Sequence, residues 1–220
     1  MKFTAKGRQY QIDRNWVISQ TDAKPYKYDP EYSAIYDGPE YKRDSDELMK
    51  HRLEWVHKIY GSFNPGCAIH SIFDIGYGNG AFLNYVRDNA PYIIRLGHDI
   101  TGVSLNGSCT MPGYVSASVY TMWDVLEHMP DTSFLNKLPT EYIFISLPYC
   151  HYFSEGKDWF ENEYPHLKPD EHIRHFDDWS LISFMSDHGW ILIASSDHED
   201  KIRKSKHGLQ NILSMAFKRK

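Results

Sequence analysis

Acidic residues are missing from the last twenty positions of this 220-residue chain, cysteine is scarce, and no long apolar run occurs. Each absence excludes something. Without 18 consecutive apolar residues there is no hydropathic transmembrane helix, and no membrane partner is expected. The start, Met1-Lys2-Phe3-Thr4-Ala5-Lys6-Gly7-Arg8, has no apolar stretch of the signal-peptide kind, so a cytoplasmic location is expected. Cys67, Cys109 and Cys150 are odd in number and lack metal-site spacing; free thiols in a reducing compartment fit them. Residues 201–220 carry seven Lys and Arg and no acid, which puts +7 there and −12 on residues 1–200 of a chain whose net charge is −5. That cluster lacks the interleaved aromatics of a nucleic-acid platform and reads as a solvated edge.

What is present is a globular composition, 41% hydrophobic and 24% charged, of a length that suits one core. The chain is organised around Ser71-Ile72-Phe73-Asp74-Ile75-Gly76-Tyr77-Gly78-Asn79-Gly80-Ala81-Phe82-Leu83. A short apolar run predicts a buried strand, alternate glycines predict a sharp turn that lets a ligand approach, and the apolar residues that follow predict a helix. A strand, a glycine turn and a helix N-terminus form a nucleotide-type pocket.

Ahead of it, residues 1–43 are polar and tyrosine-rich, with Tyr26, Tyr28, Tyr32, Tyr36 and Tyr41 and breaks at Pro25, Pro30 and Pro39. They are expected to be irregular, an N-terminal arm or a lid, with the main domain spanning 44–220. Asp44 and Glu47 have capping-box spacing, and Met49, Leu53, Val56 and Tyr60 form one helical stripe, ended by Gly61 and Pro65. Further strands are predicted at 93–100, 119–126, 142–147, 190–194 and 211–217, and a helix at 176–185. The last two strands are joined by a polar connection that suits antiparallel pairing. Residues 149–170 read as a long polar and aromatic loop. The alternation gives an α/β fold: a Rossmann-like, mostly parallel sheet with helices on both faces, an antiparallel last strand and a shortened middle at 101–117.

In such a sheet ligands sit beyond the carboxyl ends of the strands. Asp74, Asp99, Asp124 and Glu127 all fall there. Clustered carboxylates repel a pyrophosphate and suit a ligand with positive charge and hydroxyls. Gly76, Gly78 and Ala81 also satisfy the dinucleotide pattern G-x-G-x-x-[GA], so an NAD-dependent oxidoreductase is an alternative, opposed by the carboxylate at Asp74 and the third glycine at Gly80.

With Asp74-Ile75-Gly76-Tyr77-Gly78-Asn79-Gly80, Trp123-Asp124-Val125-Leu126-Glu127-His128 and the later His172-Ile173-Arg174-His175-Phe176, Ser180-Leu181 and Gly189-Trp190, the chain resembles the class I S-adenosylmethionine-dependent methyltransferases, in their small-molecule branch of the type 11/23 kind. The resemblance spans roughly residues 30–217. It implies S-adenosyl-L-methionine as cofactor, with Asp74, Gly76, Tyr77, Gly78 and Gly80 at its methionine end, Asp99 and Ile100 at its ribose, and Trp123 and Asp124 beside the methionyl side. Residues near 107–118 would hold the adenine, where the pattern lacks a clear acid.

Methyl transfer is an in-line displacement in which positioning dominates, and an alcohol, phenol or carbon acid also needs a base. His128, His172 and His175 are the catalytic candidates. Asp124, Glu127 and His128 with His172 or His175 also form an oxygen-and-nitrogen donor set, although the sequence reading assigns no metal ligand. The aromatic loop from Tyr149 to Tyr164 is the candidate acceptor wall. The favoured expectation is O- or C-methylation of a small molecule. An RNA methyltransferase using the basic tail and a cofactor-binding module without catalysis are further alternatives, and the oligomeric state stays open.

Overall fold

The computed structural model describes residues 1–27, 39–100, 109–110, 113–203 and 208–220, with side chains left out at 39–45 and 109–110. Among the described residues the chain forms two sheets. The larger has seven strands: β4 (Ser71–Ile75), β5 (Ile94–His98), β6 (Cys109–Thr110), β7 (Val119–Trp123), β8 (Tyr142–Pro148), β10 (Trp190–Ser196) and β11 (Ile212–Arg219). Their spatial order is β10-β11-β8-β7-β4-β5-β6. The five strands from β4 to β8 pair in parallel, and β11 runs antiparallel between β8 and β10. This is the expected α/β sheet. Of the expected shortened middle at 101–117, residues 101–108 and 111–112 lie outside the described residues; β6 places Cys109 and Thr110 at the edge of the sheet.

Burial explains the strand sequences. β7 and β8 lie inside the sheet with helices on both faces, and all of their residues are buried, so they read as apolar runs interrupted only by Thr121 and Ser146. One face packs Phe73, Ile75, Tyr120 and Met122 against helix α4 (Asp178–Asp187), through Leu181 and Met185. The other packs Ile72, Val119 and Phe144 against α1 (Pro39–Phe63) and α2 (Ala81–Asn89), through Leu53, Val56, Phe82 and Val86. α4 opens on a reciprocal capping box between Asp177 and Ser180. α1 starts five residues before Asp44 and runs past Gly61 to Phe63, with Ile59 and Tyr60 partly buried against the core.

The smaller sheet corrects the reading of residues 1–43 as irregular. β1 (Lys2–Ala5), β2 (Arg8–Ile12) and β3 (Ile18–Gln20) form an antiparallel meander, and β9 (Arg174–His175) adds to β3. Tyr28, Pro30, Tyr32, Tyr36 and the side chains of Tyr41 and Asp44 lie outside the described residues. The loop expected at 149–170 is also corrected: it carries α3 (Tyr152–Asn162), broken at Gly156, where φ is 85°. Tyr152, Phe160 and Tyr164 are buried against Tyr10 and Ile12 in a third core. Much of the aromatic density proposed as an acceptor wall therefore anchors the small sheet, and Phe153 is the exposed member, edge-on to Trp16. A short helix α5 (His198–Arg203) lies in the connection between β10 and β11.

Candidate active site

The glycine turn joins β4 to α2 at the carboxyl edge of the parallel strands. Gly76, Gly78 and Gly80 all have positive φ. A Cβ on Gly76 would come within 2.5 Å of Val125 Cγ2, so that position is closed by the β7 loop. A Cβ on Gly78 would meet nothing within 4 Å, so there the backbone faces open space. The Gly78 amide donates to Asp99 Oδ2 at 2.8 Å, which draws the end of β5 onto the turn. Asp74 is buried beneath, and Thr121 donates to its Oδ1 at 2.6 Å. Burial raises the Asp74 pKa to about 7, against the opposing effects of the Thr121 hydrogen bond and of Arg52. Tyr77 turns its ring inward against Gly97, where a Cβ would come 2.6 Å from Tyr77 Cδ1. Ile100 is 81% exposed.

Beyond β7, Asp124 takes a left-handed backbone with φ 56°, uncommon for a residue bearing a Cβ. Its amide is held by the Ser146 carbonyl at 2.8 Å, and its carboxylate by Arg203 at 2.8 and 3.0 Å and Arg52 at 3.4 Å. Burial pushes the Asp124 pKa up, but the two guanidiniums overcome that and hold it down at about 2. Arg52 also pairs with the buried Glu199 and lies over the Trp123 ring, 4.6 Å from its centroid. The four acids are thus not a bare anionic cluster. Arg52, Arg203 and Glu199 form the part of the site that sequence reasoning missed: they come from α1 and α5, Arg52 72 residues before Asp124 and Arg203 79 residues after it, and no local pattern links them.

The strand end continues into a turn of 3₁₀ helix at Leu126–His128. Glu127 is 2% exposed, and neither carboxylate oxygen has a hydrogen-bond partner among the described residues. The segment 171–175 is laced to this turn: the Ile173 amide donates to the Glu127 carbonyl at 2.9 Å, and His128 Nδ1 contacts the Glu171 carbonyl at 2.9 Å. His172 Nδ1 contacts the His166 carbonyl at 2.9 Å. A carbonyl only accepts, so each Nδ1 carries the proton and each Nε2 presents its lone pair. Burial lowers the pKa of both imidazoles, that of His172 to about 2, and raises that of Glu127. Glu127, His128 and His172 converge, with one ligand-type atom from each inside a 4.8 Å span. His175 does not join them: it is buried among Tyr10, Phe160 and Tyr164, and burial lowers its pKa to about 3.

The basic C-terminal cluster also differs from a solvated edge. Arg203 is engaged at Asp124; Arg219 stacks on Trp190 at 3.8 Å and donates to the Leu138 carbonyl; Lys218 lies over Tyr142. Lys204 and Lys206, like Gly107 and Pro112 of the expected adenine region, lie outside the described residues.

No protein-family model matches the chain, and no curated protein matches it by sequence. Solved structures do match in fold. The plantazolicin methyltransferase in complex with S-adenosylhomocysteine superposes at a TM-score of 0.54, with 12% identity over 86% of this chain and 94% of that one. An S-adenosylmethionine-dependent methyltransferase from Aquifex aeolicus gives 0.54, with 13% identity over 87% and 98%. Magnesium protoporphyrin IX methyltransferase from Synechocystis, also with S-adenosylhomocysteine bound, gives 0.52, with 14% identity over 86% and 93%. A longer neighbour, TnmH, is matched over 62% of its own length. The fold of this chain is the Rossmann-like fold of the S-adenosylmethionine-dependent methyltransferases.

Proposed function

We propose that the chain is a methyltransferase that uses S-adenosyl-L-methionine to methylate a small molecule on oxygen or carbon. The observation that carries this reading is the turn at Gly76–Gly80, with open space over Gly78, a buried Asp74 beneath it and Asp99 drawn onto it from β5. The donor set suits that cofactor better than a dinucleotide. Carboxylates at both ends of the cradle accept from an ammonium and from ribose hydroxyls, whereas a pyrophosphate would meet like charge.

S-adenosylmethionine supplies an electrophilic methyl group on a sulfonium. The protein's part is positional: Asp74, Gly76, Gly78 and Gly80 hold the methionyl end, and Asp99 the ribose. Trp123 and Asp124, fixed by Arg52 and Arg203, border the methionyl side. Tyr77 contributes by packing the turn against β5. His128 is the proton acceptor for a hydroxyl or acidic C–H, because its Nδ1–H is committed to the Glu171 carbonyl and Nε2 is the basic atom. His172 holds the second such nitrogen, and His175 is a packing residue. The names of two proteins sharing the fold, a plantazolicin and a magnesium protoporphyrin IX methyltransferase, support a small-molecule acceptor over RNA. So does the engagement of Arg203 and Arg219 inside the fold. Trp16 in the β2–β3 connection meets Phe153, the exposed member of the expected acceptor wall, edge-on.

Calorimetric titration with S-adenosylhomocysteine and with NAD tests the reading. Saturable binding of the first and none of the second is expected; the reverse would overturn it.

A further inference from the structure

Beyond the cradle, the side chains at the end of β7 form a set that methyl transfer by positioning alone does not require. Glu127 lies buried with both oxygens lacking hydrogen-bond partners among the described residues. A buried, unpartnered carboxylate is costly unless it is neutralised, paired or bound to a cation. Beside it, His128 Nε2 is 3.8 Å from Glu127 Oε1, and His172 crosses His128 edge to face with ring centroids 4.7 Å apart. Both imidazoles give their Nδ1–H to backbone carbonyls, the arrangement that fixes the ring and aims Nε2 in most metal-binding histidines.

We infer that Glu127, His128 and His172 form a binding site for a divalent first-row transition ion. The three donor atoms lie within 4.8 Å of one another. An ion with bonds of about 2.0–2.2 Å needs them roughly 3.3 Å apart, a contraction of about an ångström or less per side chain. Two imidazole nitrogens and one carboxylate suit zinc, cobalt, iron or manganese rather than calcium or magnesium, which take all-oxygen sets. The neighbours sharpen the ligand set. Asp124 is withheld by Arg203 and Arg52, His166 Nε2 is bonded to Asn211 at 2.8 Å, and Glu171 lies 3.3 Å from Lys168 Nζ. Three protein ligands leave coordination positions for an exogenous oxygen, as in catalytic rather than structural sites.

The ion's use rests on the methyltransferase reading; its binding does not. The site follows the same strand end as Trp123 and Asp124, so a bound ion would lie on the acceptor side of the cradle. A hydroxyl ligated there would give up its proton to solvent water more readily, and its oxygen would then take the methyl group from the sulfonium, releasing S-adenosylhomocysteine; His128 would act as a ligand in place of acting as the base. The acceptor class this selects is a hydroxyl, in particular one with a second oxygen able to chelate.

The test uses the full chain, stripped with a chelator and titrated with Co²⁺, which reports ligation through its visible d–d absorption. Saturation at one Co²⁺ per chain is expected. Glu127→Gln and His172→Ala should each weaken binding at least tenfold, with far-UV circular dichroism unchanged. His128→Ala, at the more accessible ligand, should do the same and keeps the test decisive if a buried variant fails to fold. No saturable binding in the unaltered chain, or unchanged binding in all folded variants, overturns the site. One Co²⁺ bound without any affinity for S-adenosylhomocysteine supports the site and sinks the methyltransferase reading instead.

Discussion

Gly76 and Gly78 stand two residues apart in one turn, yet a methyl group added to each meets a different obstacle. At Gly76 the new Cβ strikes the Val125 side chain, and the φ of +70° is strained for any L-residue. Gly76→Ala is expected to cost about 2 kcal/mol or more, read as a lower urea midpoint. At Gly78 only the backbone strain remains, about 1 kcal/mol. Gly78→Ala should therefore fold, yet bind S-adenosylhomocysteine at least tenfold more weakly, because its methyl projects into the open cradle; unchanged affinity would remove Gly78 from the site. Asp74 gives a prediction with a defined pH window. Its folded pKa of about 7 lies above the ordinary value of 3.8, so between those limits the folded state holds the extra proton. The contribution to stability is present at pH 4 and is lost as pH rises towards 7. Without cofactor, Asp74→Asn should thus be more stable than the unaltered chain at pH 8, by about 1 kcal/mol or more, and nearly equal to it at pH 4. Thr121 can still donate to the Asn oxygen. Affinity for S-adenosylhomocysteine should rise from pH 6 to 8 in the unaltered chain and stay flat and weak in Asp74→Asn; a shared pH profile would show that another group controls binding.

Among the elements, those legible in the sequence are the ones whose burial is two-sided. β4, β7 and β8 read as apolar runs because both of their faces are covered, and the turn after β4 reads as a ligand site because its glycines follow a buried strand. The hairpin of β1 and β2 was also written locally: Phe3 and Ala5, then Tyr10 and Ile12, alternate around Lys6-Gly7, both at positive φ. The polar residues between them hide that period of two. The Arg52–Glu199–Asp124–Arg203 network had no such trace, since ion pairing between α1, α5 and the end of β7 depends on topology rather than on spacing. It carries its own prediction. Glu199 is 1% exposed, and removing it leaves Arg52 buried with the 3.3 Å hydrogen bond to Ser146 Oγ, the 3.4 Å contact to Asp124 and its stacking on Trp123, without its closest carboxylate partner. Glu199→Ala should cost about 3 kcal/mol in chemical unfolding, while Lys201→Ala on the exposed face of the same helix should cost under about 1. Equal costs would mean that the network adds nothing beyond an ordinary surface pair.

At the scale of the molecule, one short segment, 171–175, is bonded to the end of β7 on one side and to the small sheet on the other, and it holds His172 and His175. Ile173 is tied on one side to the Glu127 carbonyl and on the other, through its own carbonyl, to the Gln20 amide at 2.9 Å. β9 follows at once and pairs with β3. The small sheet, seated on Tyr10, Phe160 and Tyr164, is thus the outer clamp that holds His172 against His128. Each wide aromatic buried there contributes several kcal/mol, so Phe160→Ala should cost about 3–5 kcal/mol if the whole chain unfolds as one unit. The tertiary layout predicts a more local response: the aromatic core of the small sheet is distinct from the two cores that cover β4–β8. In Phe160→Ala, amide hydrogen exchange at Ile18, Gln20, Ile173 and Arg174 should accelerate together, with β4, β7 and β8 protected as before. Acceleration spread evenly over both sheets would show a single cooperative unit. If the exchange stays local, the same variant should keep its affinity for S-adenosylhomocysteine, which depends on β4 and β5. Its Co²⁺ affinity should fall at least tenfold, because that depends on where the clamp holds His172.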